Sequence, residues 1–261
     1  MFVEQWVDNL QAGGRYTFLR DDAIAGTGLS RETVKKALQR IVKRGRAVKI
    51  KDYFFAIVPL EYFRAGAPPV SWIIDDLMKA MRLPYYVGLL SAASLHGASH
   101  QQPQEFQVVT DRSVRPLLVG RTRIRFFASK YVSRVSTQNV KTPTGSMRVS
   151  TPEATAVDLV RFANAAGHLD NVATIISEMA PTLDEKRILA AVRLVHDVPN
   201  ALRLGHILDL VRRRRLTNSI HAWIEKQSPR GVLLRTGRPA DHAQQDRRWH
   251  MMVNDPIEIE A

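Results

Sequence analysis

The chain has 261 residues, 45% of them hydrophobic and 24% charged, which is enough for two domains with packed cores and argues against wholesale disorder. It has no cysteine, which excludes a disulfide framework, a thiol nucleophile and a cysteine-ligated zinc site, and fits a reducing cytoplasm. Thirty-eight Lys and Arg against 25 Asp and Glu give a net charge of +13, so the expected partner is anionic.

The opening MFVEQWVDNL carries Glu4 and lacks a basic stretch before an apolar run, so no secretory signal is expected. No stretch approaches eighteen apolar residues, and no membrane span is expected. Residues 2–12 read as a helix with Phe2, Trp6, Val7 and Leu10 on one side, ended by Gly13-Gly14. A short apolar stretch, Tyr16–Leu19, precedes Asp21 and Asp22, either of which can cap a short helix through Ala23, Ile24 and Ala25. Gly26-Thr27-Gly28 then reads as a tight turn.

The next helix has the clearest signals. Ser30 is a good N-cap, Leu29 and Val34 have the spacing of a hydrophobic staple, and Gly45 stands where a helix ends in a left-handed residue. Val34, Ala37, Leu38, Ile41 and Val42 form one apolar face. Val48–Ile50 and Tyr53–Val58 read as two strands joined at Lys51-Asp52. Helix, short helix, glycine turn, capped helix and hairpin is the order of a winged helix-turn-helix.

Gly66-Ala67-Pro68-Pro69 reads as a boundary. The fold class is therefore α+β, with a winged helix-turn-helix at 1–66 and a larger mixed α/β domain at 70–261. In the latter, Ser71 is expected to cap a helix to Met81, and Tyr85–Leu95 to form another. Strands are expected at Phe106–Thr110, Arg123–Phe127 and Met147–Ser150. Thr151-Pro152-Glu153 opens a helix through Phe162, with proline in the permitted first turn. Further helices fit Leu169–Met179, Leu183–Val195, Ala201–Arg215 and Ser219–Lys226. Residues 228–248 are polar and rich in Arg, Pro and Gly, and read as a long loop or a partly disordered segment.

Residues 31–51 hold nine Lys or Arg and one acid, Glu32, a net +8. A charge run is commonly just a solvated face. Here it is one-signed and coincides with a turn and a hairpin, which points to duplex DNA. Arg31, Lys35, Lys36, Gln39, Arg40 and Lys43 point away from the apolar stripe, and a helix with such a face fits the major groove. Ser30 and Thr33 stand at the helix start, where free N–H groups favour phosphate. Lys49 and Lys51 on the hairpin reach for the flanking backbone or minor groove.

Other constellations carry less. His96 and His100 are four apart, but nothing nearby completes a metal set. Asp75, Asp76, Glu105 and Asp111 suggest a nuclease-like carboxylate cluster, yet the segment Glu105-Phe106-Gln107 lacks the lysine that such enzymes place two residues after the acid. Arg212, Arg213, Arg214 and Arg215 are expected to end a helix. Positive charge is favourable there, but four in a row exceeds that need and suggests a second basic contact with DNA or a partner. No phosphate loop, serine elbow or cofactor motif is present, so neither enzyme activity nor a cofactor is expected.

Five segments then carry a family resemblance: the N-terminal winged helix, YYVGLLSAASLHGASHQQPQEFQVVTDR from Tyr85, STPEATAVDLVR from Ser150, NALRLGHILDLV from Asn200 and RRWHMMVNDPIEIE from Arg247. In this order the chain resembles the AbiEi antitoxins of type IV toxin–antitoxin systems. The most specific parts are Leu95-His96-Gly97, Thr151-Pro152-Glu153 with Asp158, and Trp249 to Asn254. The resemblance implies a cytoplasmic bacterial autorepressor that binds its own operator. It also implies an antitoxin that counteracts an AbiEii-type nucleotidyltransferase-like toxin without a stable complex. DNA binding would fall to the winged helix and antitoxicity to the second domain. Two other readings stay open: a stand-alone transcriptional regulator whose second domain senses a ligand or partner, and a nucleic-acid-processing enzyme.

Overall fold

The structure is a computed structural model that describes residues 1–98 and 104–259. The chain is mixed α and β throughout and divides into two compact units. The first comprises Met1–Tyr86, Gln104–Lys130 and Asn139–Arg148; the second comprises the described parts of Val87–Pro103, Tyr131–Gln138 and Val149–Ala261. The segment 66–69 lies inside the first unit.

The first unit begins with α1 (Val3–Ala12), β1 (Thr17–Leu19), α2 (Arg20–Thr27), α3 (Arg31–Lys43), β2 (Ala47–Lys51) and β3 (Phe54–Ile57). These three strands form a sheet in the order β1-β3-β2, antiparallel throughout. Val3, Trp6, Val7, Phe18, Val34, Leu38, Ile41, Phe55 and Ile57 bury a common core under the helices. Asp22 does cap α2, but from inside its first turn, accepting from the Leu19 amide at 3.1 Å. The expected turn at Gly26-Thr27-Gly28 is shorter. Gly26 and Thr27 belong to α2, and Gly28 alone is left-handed, with φ 70°.

The chain continues through α4 (Val70–Met81). Ser71 lies within its first turn rather than capping it, because Pro69 occupies the N-cap and makes no side-chain bond. Thr17 Oγ1 donates to Asp76 Oδ2 at 2.5 Å, and Trp72 meets Tyr16 and Tyr62 edge-on, so α4 packs on the N-terminal module. A six-stranded sheet follows, in the order β6-β7-β5-β4-β9-β8. Its strands are β4 (Tyr85–Val87), β5 (Glu105–Thr110), β6 (Leu117–Val119), β7 (Thr122–Ala128), β8 (Thr137–Thr142) and β9 (Gly145–Ser150). Strands β5 and β7 run parallel, six residues in register.

The expected helix at Tyr85–Leu95 is a correction. Tyr85–Val87 is a strand and only Leu89–Leu95 is helix, α5, because Tyr-Tyr-Val favours a pleated surface and Gly88 is extended.

The second unit holds α6 (Pro152–Arg161), α7 (His168–Met179), α8 (Glu185–Val195), α9 (Val198–Leu210) and α10 (Arg214–Glu225). Thr151 caps α6, accepting from the Ala154 amide. The expected helix Ala201–Arg215 breaks at Val211–Arg213, where Arg212 is left-handed at φ 58°. The expected loop at 228–248 is ordered. It carries β10 (Val232–Leu233) and β11 (Gln244–Asp246), which flank β12 (Met251–Val253). Arg235 pins it, donating to Asp170 Oδ1 at 2.5 Å, while Asn254 bonds the Arg235 amide and carbonyl. Most of these residues are exposed to solvent, as their composition implies, but Arg235 is held by residues outside the segment.

Candidate nucleic-acid interface

Helix α3 is closed at both ends by its own sequence. Ser30 Oγ accepts from the Thr33 amide at 3.3 Å and lies 2.9 Å from the Thr33 hydroxyl. At the other end the Gly45 amide donates to the Val42 carbonyl, and the Arg46 amide to the Ile41 carbonyl. That pair of hydrogen bonds, with Gly45 at φ 72°, is a Schellman closure. Val34, Leu38 and Ile41 are buried. At helical spacing they fix the opposite face, so Arg31, Lys35, Lys36, Gln39, Arg40 and Lys43 are all exposed. Thirteen residues make a rod about 20 Å long, of a size that a DNA major groove admits.

The cations differ in their electrostatic partners. Lys36 pairs with Glu32 at 3.6 Å and Lys49 with Asp52 at 3.1 Å. Arg44 holds Glu4 at 2.8 Å and Arg46 holds Asp8, tying the end of α3 and the start of β2 to α1. Among the described residues, Arg31, Lys35, Arg40, Lys43 and Lys51 have no carboxylate in ion-pair range. Ser30 and Thr33 stand exposed at the helix start. Lys49 is exposed on the hairpin and Lys51 is half-buried.

A cleft of about 530 Å³ opens between α3 and the hairpin. Lys35, Gln39 and Lys43 line it one helical turn apart, opposite Lys49 and Asp52. Leu38, Val42 and Phe55 form its apolar part. Arg20 lines it as well. Its Nε is buried without a hydrogen-bond partner, and the nearest carboxylate oxygen, of Asp21, stands 4.0 Å away. Sequence reasoning missed Arg20. It belongs to the helix before the basic segment, and only the tertiary fold brings it to α3.

The arginine run is placed differently from expectation. Arg212 and Arg213 form the turn after α9, and Arg214 and Arg215 open α10. Arg212 and Arg213 follow directly on the C-terminus of α9, where positive charge is favourable, but Arg214 and Arg215 stand at a helix start, where it is unfavourable. All four are exposed, and none has an acid partner among the described residues.

The residues of the resemblance serve structure. His96 Nε2 lies 2.8 Å from the Ser150 carbonyl, and burial holds the imidazole pKa below its ordinary value. Glu153 is buried and accepts from the Asp184 amide. Trp249 is fully buried and donates Nε1–H to Asp209 Oδ2 at 2.9 Å. His100, the second histidine of the spaced pair, lies outside the described residues. The four acids of the nuclease-like set each take their own partner: Asp75 bonds Tyr85 and Lys79, Asp76 bonds Thr17, Glu105 faces Arg123 and Arg125, and Asp111 holds Arg112. Among the described residues no group of three His, Cys, Asp or Glu is placed to hold a metal ion. Nor is any helix long and apolar enough to cross a membrane.

A family model described as the AbiEi antitoxin C-terminal domain matches residues 86–210. No curated protein matches the chain. Among solved structures, the Rv2827c protein from Mycobacterium tuberculosis superposes with a TM-score of 0.69 at 12% identity. The match covers 95% of this chain and 90% of that one, and so shows a common fold. The matched segment spans the sheet and the helices up to α9, and through it the chain is similar to the AbiEi antitoxin C-terminal domain.

Proposed function

We propose that the chain is a type IV antitoxin that represses its own operon, with no catalytic step of its own. A winged helix-turn-helix at residues 1–66 inserts α3 into the major groove of the operator. Gln39 and Arg40 read base edges, while Lys35, Lys43, Lys49 and Lys51 meet phosphates. Ser30, Arg31, Thr33 and Lys36 hold the helix start against the backbone. The observation that carries this reading is the basic face of α3, capped at both ends and set beside a hairpin, on which Arg31, Lys35, Arg40 and Lys43 have no carboxylate partner among the described residues. Residues 70–261 supply antitoxicity against a nucleotidyltransferase-like toxin in the cytoplasm, without a stable complex. Arg212, Arg213, Arg214 and Arg215 add a second basic contact.

Co-expression with the toxin gene of the same operon, beside a promoter reporter, tests both halves in the full chain. The double variant Lys35→Ala, Arg40→Ala should lose repression and keep rescue of growth. Loss of rescue with repression intact would overturn the assignment of roles.

A further inference from the structure

The cleft between α3 and the hairpin has a chemistry that base reading does not require. Its floor is apolar, from Leu38, Val42 and Phe55, and its rim is cationic. Its volume of about 530 Å³ lies within the range of small-molecule sites. Arg20 lines it too, its side chain partly exposed and its charge only loosely compensated, with the Asp21 carboxylate 4.0 Å from Nε, so the guanidinium can still take an anionic partner. Lys35 and Lys43 on the same wall have no carboxylate partner among the described residues, whereas Lys49 shares Asp52. Inorganic phosphate alone would satisfy the rim and leave the floor uncovered.

We propose that this cleft binds a small amphipathic anion, an aromatic carboxylate or sulfonate, with its ring on Leu38, Val42 and Phe55 and its charge at Arg20. Lys35, Gln39 and Lys43 line the cleft and also belong to the exposed face of α3, so the bound anion competes with DNA. The competition rests on the DNA-binding reading above; the site itself does not. The class matches the site on both counts. A planar apolar body uses the floor, and a fork of N–H donors on Arg20 suits a carboxylate or sulfonate.

The test uses the full chain and the fluorescent probe 8-anilinonaphthalene-1-sulfonate, with uncharged N-phenyl-1-naphthylamine as its control. Calorimetric titration should give one saturable sulfonate site and at least about tenfold weaker binding of the uncharged analogue. Arg20→Gln should weaken the sulfonate about tenfold, and Arg20→Lys less. Val42→Trp, which fills the floor, should abolish binding. Arg134→Gln in the second unit should change nothing. Thermal midpoints certify folding, and Arg20→Gln decides the matter if Val42→Trp does not fold. Equal binding of the uncharged analogue, many unsaturable sites, or indifference to Arg20→Gln overturns the site. Duplex affinity is measured separately, without the probe and then with it. The probe should weaken DNA binding, and DNA should weaken probe binding by the same factor. Cleft binding with unchanged duplex affinity overturns the competition and leaves the DNA reading intact. Failure to bind any duplex without the probe overturns that reading and the competition with it, while the variants still decide the site.

Discussion

The Trp6 indole of α1 lies so close to Gly26 of α2 that a Cβ added at Gly26 would stand 2.1 Å from the ring nitrogen. Gly26 is inside a helix, where alanine would gain up to about 1 kcal/mol in propensity. The overlap should outweigh that gain. Trp6 is buried and held edge-on against Phe18 at 5.3 Å, so it has little room to move. Gly26→Ala should destabilise the N-terminal module by about 1–3 kcal/mol, read as a lower urea midpoint. An unchanged or higher midpoint would show that α1 can shift freely.

The second unit contains a parallel case. A Cβ at Gly205 of α9 would stand 2.2 Å from the fully buried Trp249 ring, whose Nε1–H is held by Asp209. Asp209 also accepts from Thr217 at 2.8 Å and pairs with Arg248 at 3.0 Å, so the ring is fixed from α9, α10 and the C-terminal segment. Trp249→Phe should cost about 1–3 kcal/mol or more, from the lost hydrogen bond and lost packing. Gly205→Ala should be at least as damaging. Circular-dichroism melts of both variants test this, and wild-type midpoints would contradict it.

These two glycines mark where the sequence was silent. Gly26 reads as a turn residue beside Gly28, because a close approach by Trp6 leaves no local signal. Helix α3 was legible to the residue at its N-terminus, since the Ser30 cap and the Gly45 closure act within one helix. Tyr85–Val87 was misread because a short buried strand and a short buried helix share an apolar composition. The break at Arg212 falls inside an unbroken apolar periodicity. The order of residues 228–248 rests on Arg235, Asp170 and Asn254, which are far apart in the chain. The exposed face of the candidate site followed from periodicity. Arg20 and the ion pairs did not, because only folding brings those residues together.

Those pairs sort the cations. Arg44 and Arg46 already hold Glu4 and Asp8, so Arg44→Ala and Arg46→Ala should alter DNA affinity less than Lys35→Ala or Lys43→Ala. Lys51→Ala should weaken all duplexes alike and reduce the salt slope by about 1. Gln39→Ala and Arg40→Ala should instead relax sequence preference by about 1–3 kcal/mol per base pair read. Anisotropy titrations on operator and random duplexes check the panel. Equal losses at Arg44 and Lys35 would contradict the partition.

His96 gives a pH dependence. Burial lowers its pKa below 6.5, outweighing the Ser150 carbonyl and the charge of Glu153, which raise it. The folded chain therefore keeps the imidazole neutral at pH values where the unfolded chain takes a proton. Stability should fall as pH drops through the ordinary imidazole value, and it is fully present only above it. Urea midpoints at about pH 7.5 and about pH 5.5 should differ less in His96→Gln than in the wild type. An unchanged difference would remove His96 as the source.

The most direct measurement is the affinity of the full chain for the duplex upstream of its own gene, against a scrambled duplex of equal length, over a range of salt. Five cations on α3 and the hairpin lack a carboxylate partner among the described residues. If Arg31, Lys35, Lys43, Lys49 and Lys51 each meet a phosphate, log K should fall against log salt with a slope of about −4 to −5. The upstream duplex should bind about a thousandfold or more tighter than the scrambled one at physiological salt. Equal affinity for the two duplexes, or a slope near zero, would contradict the proposal that α3 reads an operator.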